Sequence, residues 1–245
     1  MTPALRIERD GPVARLVLAR PERHNAQTPQ LWAELRAVGD ALVADEGVRA
    51  AVLYADGPSF SSGLDLAERE PGGFLHRVAH ADDEAALAAI AEAQAAFAWI
   101  AAAPFPVVAA VRGYAIGAGI QLALACDVRI VAPDAVLAVA EVGLGAVPDL
   151  GATTELPRLV GLERALDLVL TARRFDGTEA VALGLALRTA TDVDAEALAY
   201  AHRLAAAPRA ALAATKAATR EPDPVAGLAL AARGQVACVR AMLRS

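Results

Sequence analysis

Residues Leu5-Arg6-Ile7-Glu8-Arg9 alternate between apolar and charged side chains, and the alternation resumes from Val13 to Leu18. With Asp10-Gly11 between them, this period of two predicts a β-hairpin. Arg20 to Asn25 breaks the pattern, and Thr28 with Pro29 then reads as the N-cap and first turn of a helix ending near Asp45. Arg49 to Tyr54 is a strand. It feeds a loop of turn formers, Ala55 to Asp65, and loops held at strand ends are common seats of chemistry. The charged, glycine-containing stretch from Glu68 to His80 is expected to be a mobile or variable loop, and Asp82 to Ala102 a helix.

The chain is organised around Pro106 to Asp127. An apolar β-branched run (Val107, Val108, Val111) reads as a buried strand, and it passes through Gly113, Gly117 and Gly119 into an Ala/Leu-rich helix, Ile120 to Ala125. A strand that ends in a glycine turn at a helix N-terminus leaves backbone N–H groups free for an anion. Short strands follow at Val128 to Ala132 and Val136 to Val139, and a second glycine-rich loop runs from Glu141 to Gly151. Helices are expected near Thr153–Val160, Glu163–Thr171 and Gly177–Ala182, then a short strand from Leu185 to Thr189. From Asp192 the pattern is helical only, with breaks near Pro208 and Glu221-Pro222-Asp223-Pro224. Alternating strands and helices followed by helices alone predict an α/β core with a helical C-terminal piece.

Composition narrows the class. Only 4% of residues are aromatic and the formal net charge is −6, which argues against a nucleic-acid partner. The apolar region from Ala85 to Val111 is broken by Glu92, Gln94, Pro104 and Pro106, so no membrane span is expected. Two cysteines, Cys126 and Cys238, make no disulfide framework, and the charged first ten residues do not read as a signal peptide. A cytoplasmic protein is the expectation.

The glycine spacing Gly113-x3-Gly117-x-Gly119 is neither a dinucleotide fingerprint nor a P-loop, and no nucleophile elbow occurs. His76 and His80 have a metal-like spacing, but a solvated helix start explains them better, and no metal is expected. Glu141 and Asp149 lie in a loop among apolar residues, where desolvation raises a carboxyl pKa and suits it to acid–base work. Two plain structural roles stay open at this point: Asp149 as the cap of the next helix, and Glu141 in a salt bridge to Arg129 or Arg158.

Four stretches together resemble the crotonase, or enoyl-CoA hydratase/isomerase, superfamily over nearly the whole chain. They are Arg20 to Ala26, Ser59 to Leu66, Gly113 to Asp127, and Glu141 to Gly151 with Leu156-Pro157-Arg158-Leu159-Val160-Gly161. The resemblance implies an α/β spiral of ββα units over residues 1–190 and a helical trimerisation region over 191–245, in a trimer or a dimer of trimers. It implies an acyl-CoA thioester as substrate, with coenzyme A entering as part of that substrate and no separate cofactor. The backbone N–H groups of Leu64 and Ala118 fall where the family holds the oxygen of a thioester enolate. Ser62, Gly63, Asp65 and Leu66 fall near the CoA adenine, Arg23 near the pantetheine-phosphate path, and Gly117, Gln121, Val142 and Leu144 around the acyl group. The segment from Ala67 to Ala98 is expected to shape the acyl pocket, and the apolar Ile120, Val142 and Leu144 imply an apolar acyl chain or ring.

Departures from the family pattern narrow the reaction. Hydratases of the family use two glutamates; the first falls at Gln121, an amide that exchanges no proton at neutral pH, and the second at Glu141. Asp149 falls where family isomerases carry a catalytic aspartate and family dehalogenases a nucleophile. The resemblance therefore favours an enoyl-CoA isomerase, with Asp149 as main base and Glu141 as its partner. The alternatives are a hydratase using Glu141 and a non-catalytic acyl-CoA binder. The helix that carries a CoA-phosphate lysine in many relatives reads as shortened or missing, leaving Arg240, Arg244 or Lys216 as the expected phosphate contact.

Overall fold

The computed structural model describes residues 3–244. The predicted hairpin is present as β1 (Leu5–Asp10) and β2 (Val13–Leu18), paired antiparallel from Leu5 against Leu18 to Asp10 against Val13. Helix α1 (Pro29–Ala44) follows, with Thr28 Oγ1 accepting from Leu31 N and Pro29 in the first turn. Strand β3 (Ala50–Ala55) is buried at every position, as a strand covered on both faces must be.

The segment expected to be mobile is instead built. A 3-10 turn (Leu66–Arg69) leads into α2 (Phe74–His80), whose Phe74 is buried, and then into α3 (Asp83–Ala102), capped by Asp82. Its charges sit on the outside, while Phe74 and Val78, four residues apart, make one apolar face. Strand β4 (Val107–Val111) is wholly buried. It is followed by a strand the sequence pattern did not reveal, β5 (Tyr114–Ile116), and by α4 (Ala118–Ala125), every residue of which is buried.

Strands β6 (Val128–Val131) and β7 (Val136–Ala138) repeat the same step and lead to α5 (Ala152–Val160), α6 (Leu162–Thr171) and α7 (Gly177–Ala182). The last strand, β8, is only Arg188–Thr189, shorter than expected, because Leu185 to Leu187 approach the sheet without pairing as a ladder. Helices α8 (Val193–Ala205), α9 (Arg209–Arg220) and α10 (Pro224–Met242) complete the chain.

The large sheet has the order β1-β2-β3-β4-β6-β8, parallel from β2 onward, and β5 pairs with β7 in a second, small sheet. Isolated bridges from Gln27 to Leu64 and from Ser61 to Ala115 extend this small sheet toward the chain's start. The units β4-β5-α4 and β6-β7-α5 thus each place one strand in the large sheet and one in the small one. This is the repeating ββα step that the resemblance implies. Helix α8 packs on β2, β3, β4 and β6, whereas α9 and α10 form a hairpin whose outer helix buries only Gly227. By length and hydropathy α3 and α10 both match a membrane span. Here α3 packs on α1 and α4, and α10 lies along α9.

Candidate active site

The small sheet positions the chemistry. Gly117 ends β5 with φ 56° and ψ −123°, a backbone state open to glycine, and its N–H donates to Ala138 O at 2.9 Å. This turn starts α4 at Ala118, two residues before the expected start. Among the described residues, neither the Ala118 N–H nor the Leu64 N–H has a hydrogen-bond acceptor. Their two loops are in contact: a Cβ on Gly63 would lie 3.6 Å from Ala118 N, and one on Gly119 would lie 2.3 Å from Ser61 O. Both residues line one cavity of about 450 Å³. Two unpaired donors, one at the positive end of a helix, form a site for developing negative charge.

Glu141 and Asp149 line the same cavity. Glu141 Oε1 accepts from Gln121 Nε2 at 2.8 Å, and Gln121 Oε1 accepts from Ala152 N at 3.1 Å. That second bond fixes which end of the buried amide faces the carboxyl group. Oε2 of Glu141 is buried without a partner among the described residues. Burial pushes the Glu141 pKa above the usual carboxylate range, with the Asp149 charge adding to the rise. Burial raises Asp149 in the same direction. Glu141 makes no salt bridge to Arg129 or Arg158, and Asp149 is not a helix cap, since Gly151 occupies that position before α5. Gln94 Nε2 instead holds the backbone carbonyl of Asp149 at 2.9 Å.

Of the residues singled out in the sequence, Ser62, Gly63, Asp65, Leu66, Gly117, Gln121 and Leu144 join these four on the cavity wall. Arg23, Val142 and the fully buried Ile120 do not. Arg23 stands outside, 55% exposed, its guanidinium 3.2 Å from Asp65, and Arg20 holds the other oxygen of that buried carboxylate at 3.0 Å. Burial works to raise the Asp65 pKa, but the hydrogen bond from the Ala67 N–H, followed by those from Arg20 and Arg23, draws it down overall. Val142 points away on a 3-10 turn, Val142–Leu144, with over a third of its surface exposed.

The segment from Ala67 to Ala98 does help shape the pocket, through Arg69 at the 3-10 turn, Phe74 and Val78 from α2 and Ile90 from α3, although the sequence named none of them individually; Trp32 from α1 lies outside every stretch singled out. The (i, i+4) apolar pair Phe74 and Val78, just after Gly72-Gly73, was the available signal for α2. Lys216 is not free to meet a phosphate. Its ammonium is buried, 2.7 Å from Asp127, and donates to Ile100 O and Phe105 O. His76 and His80 stack at 4.1 Å on the exposed side of α2.

A family model described as enoyl-CoA hydratase/isomerase matches residues 8–232. A protein of Mycobacterium avium named as a probable enoyl-CoA hydratase is 38% identical over 211 residues, 85% of this chain and 78% of its own. Two solved structures of a Thermobifida fusca protein, titled as an enoyl-CoA hydratase, are 40% identical to this chain. The form in complex with CoA superposes with a TM-score of 0.89, over 99% of this chain and 95% of its own. The acetoacetyl-CoA complex gives 0.88 over 97% and 95%.

Proposed function

Since the chain belongs to the enoyl-CoA hydratase/isomerase family, we propose that it moves a carbon–carbon double bond within an enoyl-CoA thioester. The thioester oxygen lies between the N–H groups of Leu64 and Ala118, which have no acceptor of their own among the described residues. Asp149 takes a proton from C2 of a 3-enoyl thioester. The electron pair moves into the thioester carbonyl, giving a dienolate whose oxygen charge the two donors and the α4 N-terminus stabilise. The proton returns at C4, leaving the double bond between C2 and C3. No atom is added, and one carboxyl group plus the oxyanion site meets the whole requirement.

The observation that carries this reading is Gln121. Its amide holds Glu141 but supplies no proton, so the cavity has one carboxyl engaged by an amide and one, Asp149, bonded by no other side chain among the described residues. Raised pKa values suit both groups to exchanging protons near neutral pH. The unpartnered Glu141 Oε2 favours a second reading, in which Glu141 activates a water for hydration of a 2-enoyl thioester. Assays of 3-enoyl-CoA isomerisation and crotonyl-CoA hydration on the same preparation separate the two: faster isomerisation supports the proposal, and faster hydration overturns it.

The ligand in this proposal is an acyl-CoA thioester, a class supported by the CoA and acetoacetyl-CoA complexes of the Thermobifida fusca protein. The proposed assembly is a homotrimer or a dimer of trimers. The exposed apolar side chains of α10, among them Val225, Leu228 and Val236, support burial of that helix by another copy.

A further inference from the structure

One buried residue outside every motif above touches both halves of the oxyanion site. Gln27 is fully buried. Its backbone N–H donates to Gly63 O at 2.7 Å, and its carbonyl accepts from Asp65 N at 2.8 Å. The Gly63 carbonyl belongs to the same peptide unit as the Leu64 N–H. No cis peptide bond occurs among the described residues, so that N–H points opposite to the carbonyl Gln27 holds. The Gln27 side chain crosses to the other loop, where Nε2 donates to Ala118 O at 3.0 Å. Trp32 Nε1 donates to Gln27 Oε1 at 2.9 Å, which fixes the amide with its NH2 toward Ala118.

We propose that Gln27 is a positioning residue that keeps the Leu64 and Ala118 donors in register. A catalytic donor pair acts only if both N–H groups converge on one oxygen, and errors near 1 Å cost about 10²-fold in rate. The Leu64 loop and the α4 turn come from distant parts of the chain, and Gln27 joins them through a backbone clamp on one side and a side-chain amide on the other. Trp32 extends the linkage to the cavity wall, since it lines the cavity and meets Phe74 edge to face at 5.0 Å. The residue touches no substrate in this account. It acts through the two donors.

This inference rests on the oxyanion reading of Leu64 and Ala118, and its test separates the two. The carbonyl stretch of a bound, non-turning-over acyl-CoA thioester, isotopically labelled at the carbonyl, reports hydrogen bonding to the thioester oxygen directly. In the native protein the band moves to lower frequency on binding; an unmoved band contradicts the oxyanion reading and takes this proposal with it. Gln27→Met keeps length and apolar volume but lacks the donor. It is expected to lose at least half of the native band shift and about tenfold or more in kcat, with KM within about threefold. A native band and native kcat overturn the proposal. So does a kcat loss that follows the unfolded fraction while the folded remainder keeps the native band, because that marks a structural role only. Should Gln27→Met not fold, Trp32→Phe removes the N–H that orients the amide while keeping an aromatic ring on Phe74. A partial loss of the band shift then supports the proposal, and an unchanged band overturns it.

Discussion

Gln121 and Glu141 are joined by a hydrogen bond whose direction is fixed. The Gln121 NH2 donates to Glu141 Oε1 at 2.8 Å because its carbonyl is already engaged by the Ala152 N–H. An amide in this place holds the carboxyl group without competing for its proton. It also keeps a second negative charge away from a buried carboxylate, where two like charges would push the pair's titration upward.

Gln121→Glu tests that relationship. The substitution places a second carboxyl group against Glu141, the titration of the pair moves upward, and two oxygen-rich groups then face one cavity. Hydration of crotonyl-CoA is expected to rise and 3-enoyl-CoA isomerisation to fall. Product ratios by chromatography check this; an unchanged ratio means that Gln121 does not select the reaction.

Gly119 keeps the two loops in contact. A Cβ there would meet Ser61 O at 2.3 Å and Ser61 Cβ at 2.9 Å, and neither the backbone nor a short side chain can yield easily. Gly119→Ala is expected to push the Leu64 loop from the α4 N-terminus and lower kcat by about 10²–10³, the loss seen when one oxyanion donor is removed. Thioester binding, measured by calorimetry, changes far less.

The buried carboxyl groups make a signed prediction about stability. Both Glu141 and Asp149 have folded-state pKa values raised above their unfolded values. Such groups favour the folded state only when protonated, so their favourable contribution is present at acid pH. It is lost as pH rises from the unfolded value through the raised folded one. Asp149→Asn is therefore expected to raise Tm at pH 7 relative to the native chain, and to lose that advantage below about pH 4. Thermal melts across this range measure it. A Tm gain largest at acid pH contradicts the assignment.

Arg129 holds the far end of α4. Its buried guanidinium donates to Cys126 O and Leu185 O, each at 2.6 Å, and to the carbonyls of Ala123 and Leu124. Arg129→Met leaves these acceptors without that donor. Each buried polar group so stranded costs about 1–3 kcal/mol, so denaturant melts should show a loss of several kcal/mol. The site is expected to fail through unfolding rather than through chemistry.

The legible parts of this fold are those governed by local pattern. The alternation in β1 and β2, the cap at Thr28, and the apolar run of β4 all act within a few residues. Strand β5 was hidden because three residues between Gly113 and Gly117 carry no periodic signal, and its pairing with β7 is twenty-two residues away. Helix α2 was hidden by its charge, since only Phe74 and Val78 mark its inner face. In the site, Glu141 and Asp149 were marked by their apolar loop and the Ala118 turn by its glycines, while Leu64 and the role of each group were reached only through motif resemblance. Gln27 escaped because its role lies in its partners: nothing local distinguishes a glutamine that spans two loops from one that faces solvent. Val142 was misplaced on the wall because polarity does not tell which side of a 3-10 turn faces the cavity.

The central claim is that Asp149 moves a proton along the acyl chain while Leu64 and Ala118 hold the enolate. The most direct measurement is proton NMR of a 3-enoyl-CoA incubated with the native protein and with Asp149→Asn in D2O. The account predicts a 2-enoyl product with no added oxygen, deuterium only at C2 or C4, and a rate reduced about 10²–10⁴-fold in the variant. Formation of a 3-hydroxyacyl product as the main species, or an Asp149→Asn variant that isomerises at the native rate, would contradict it.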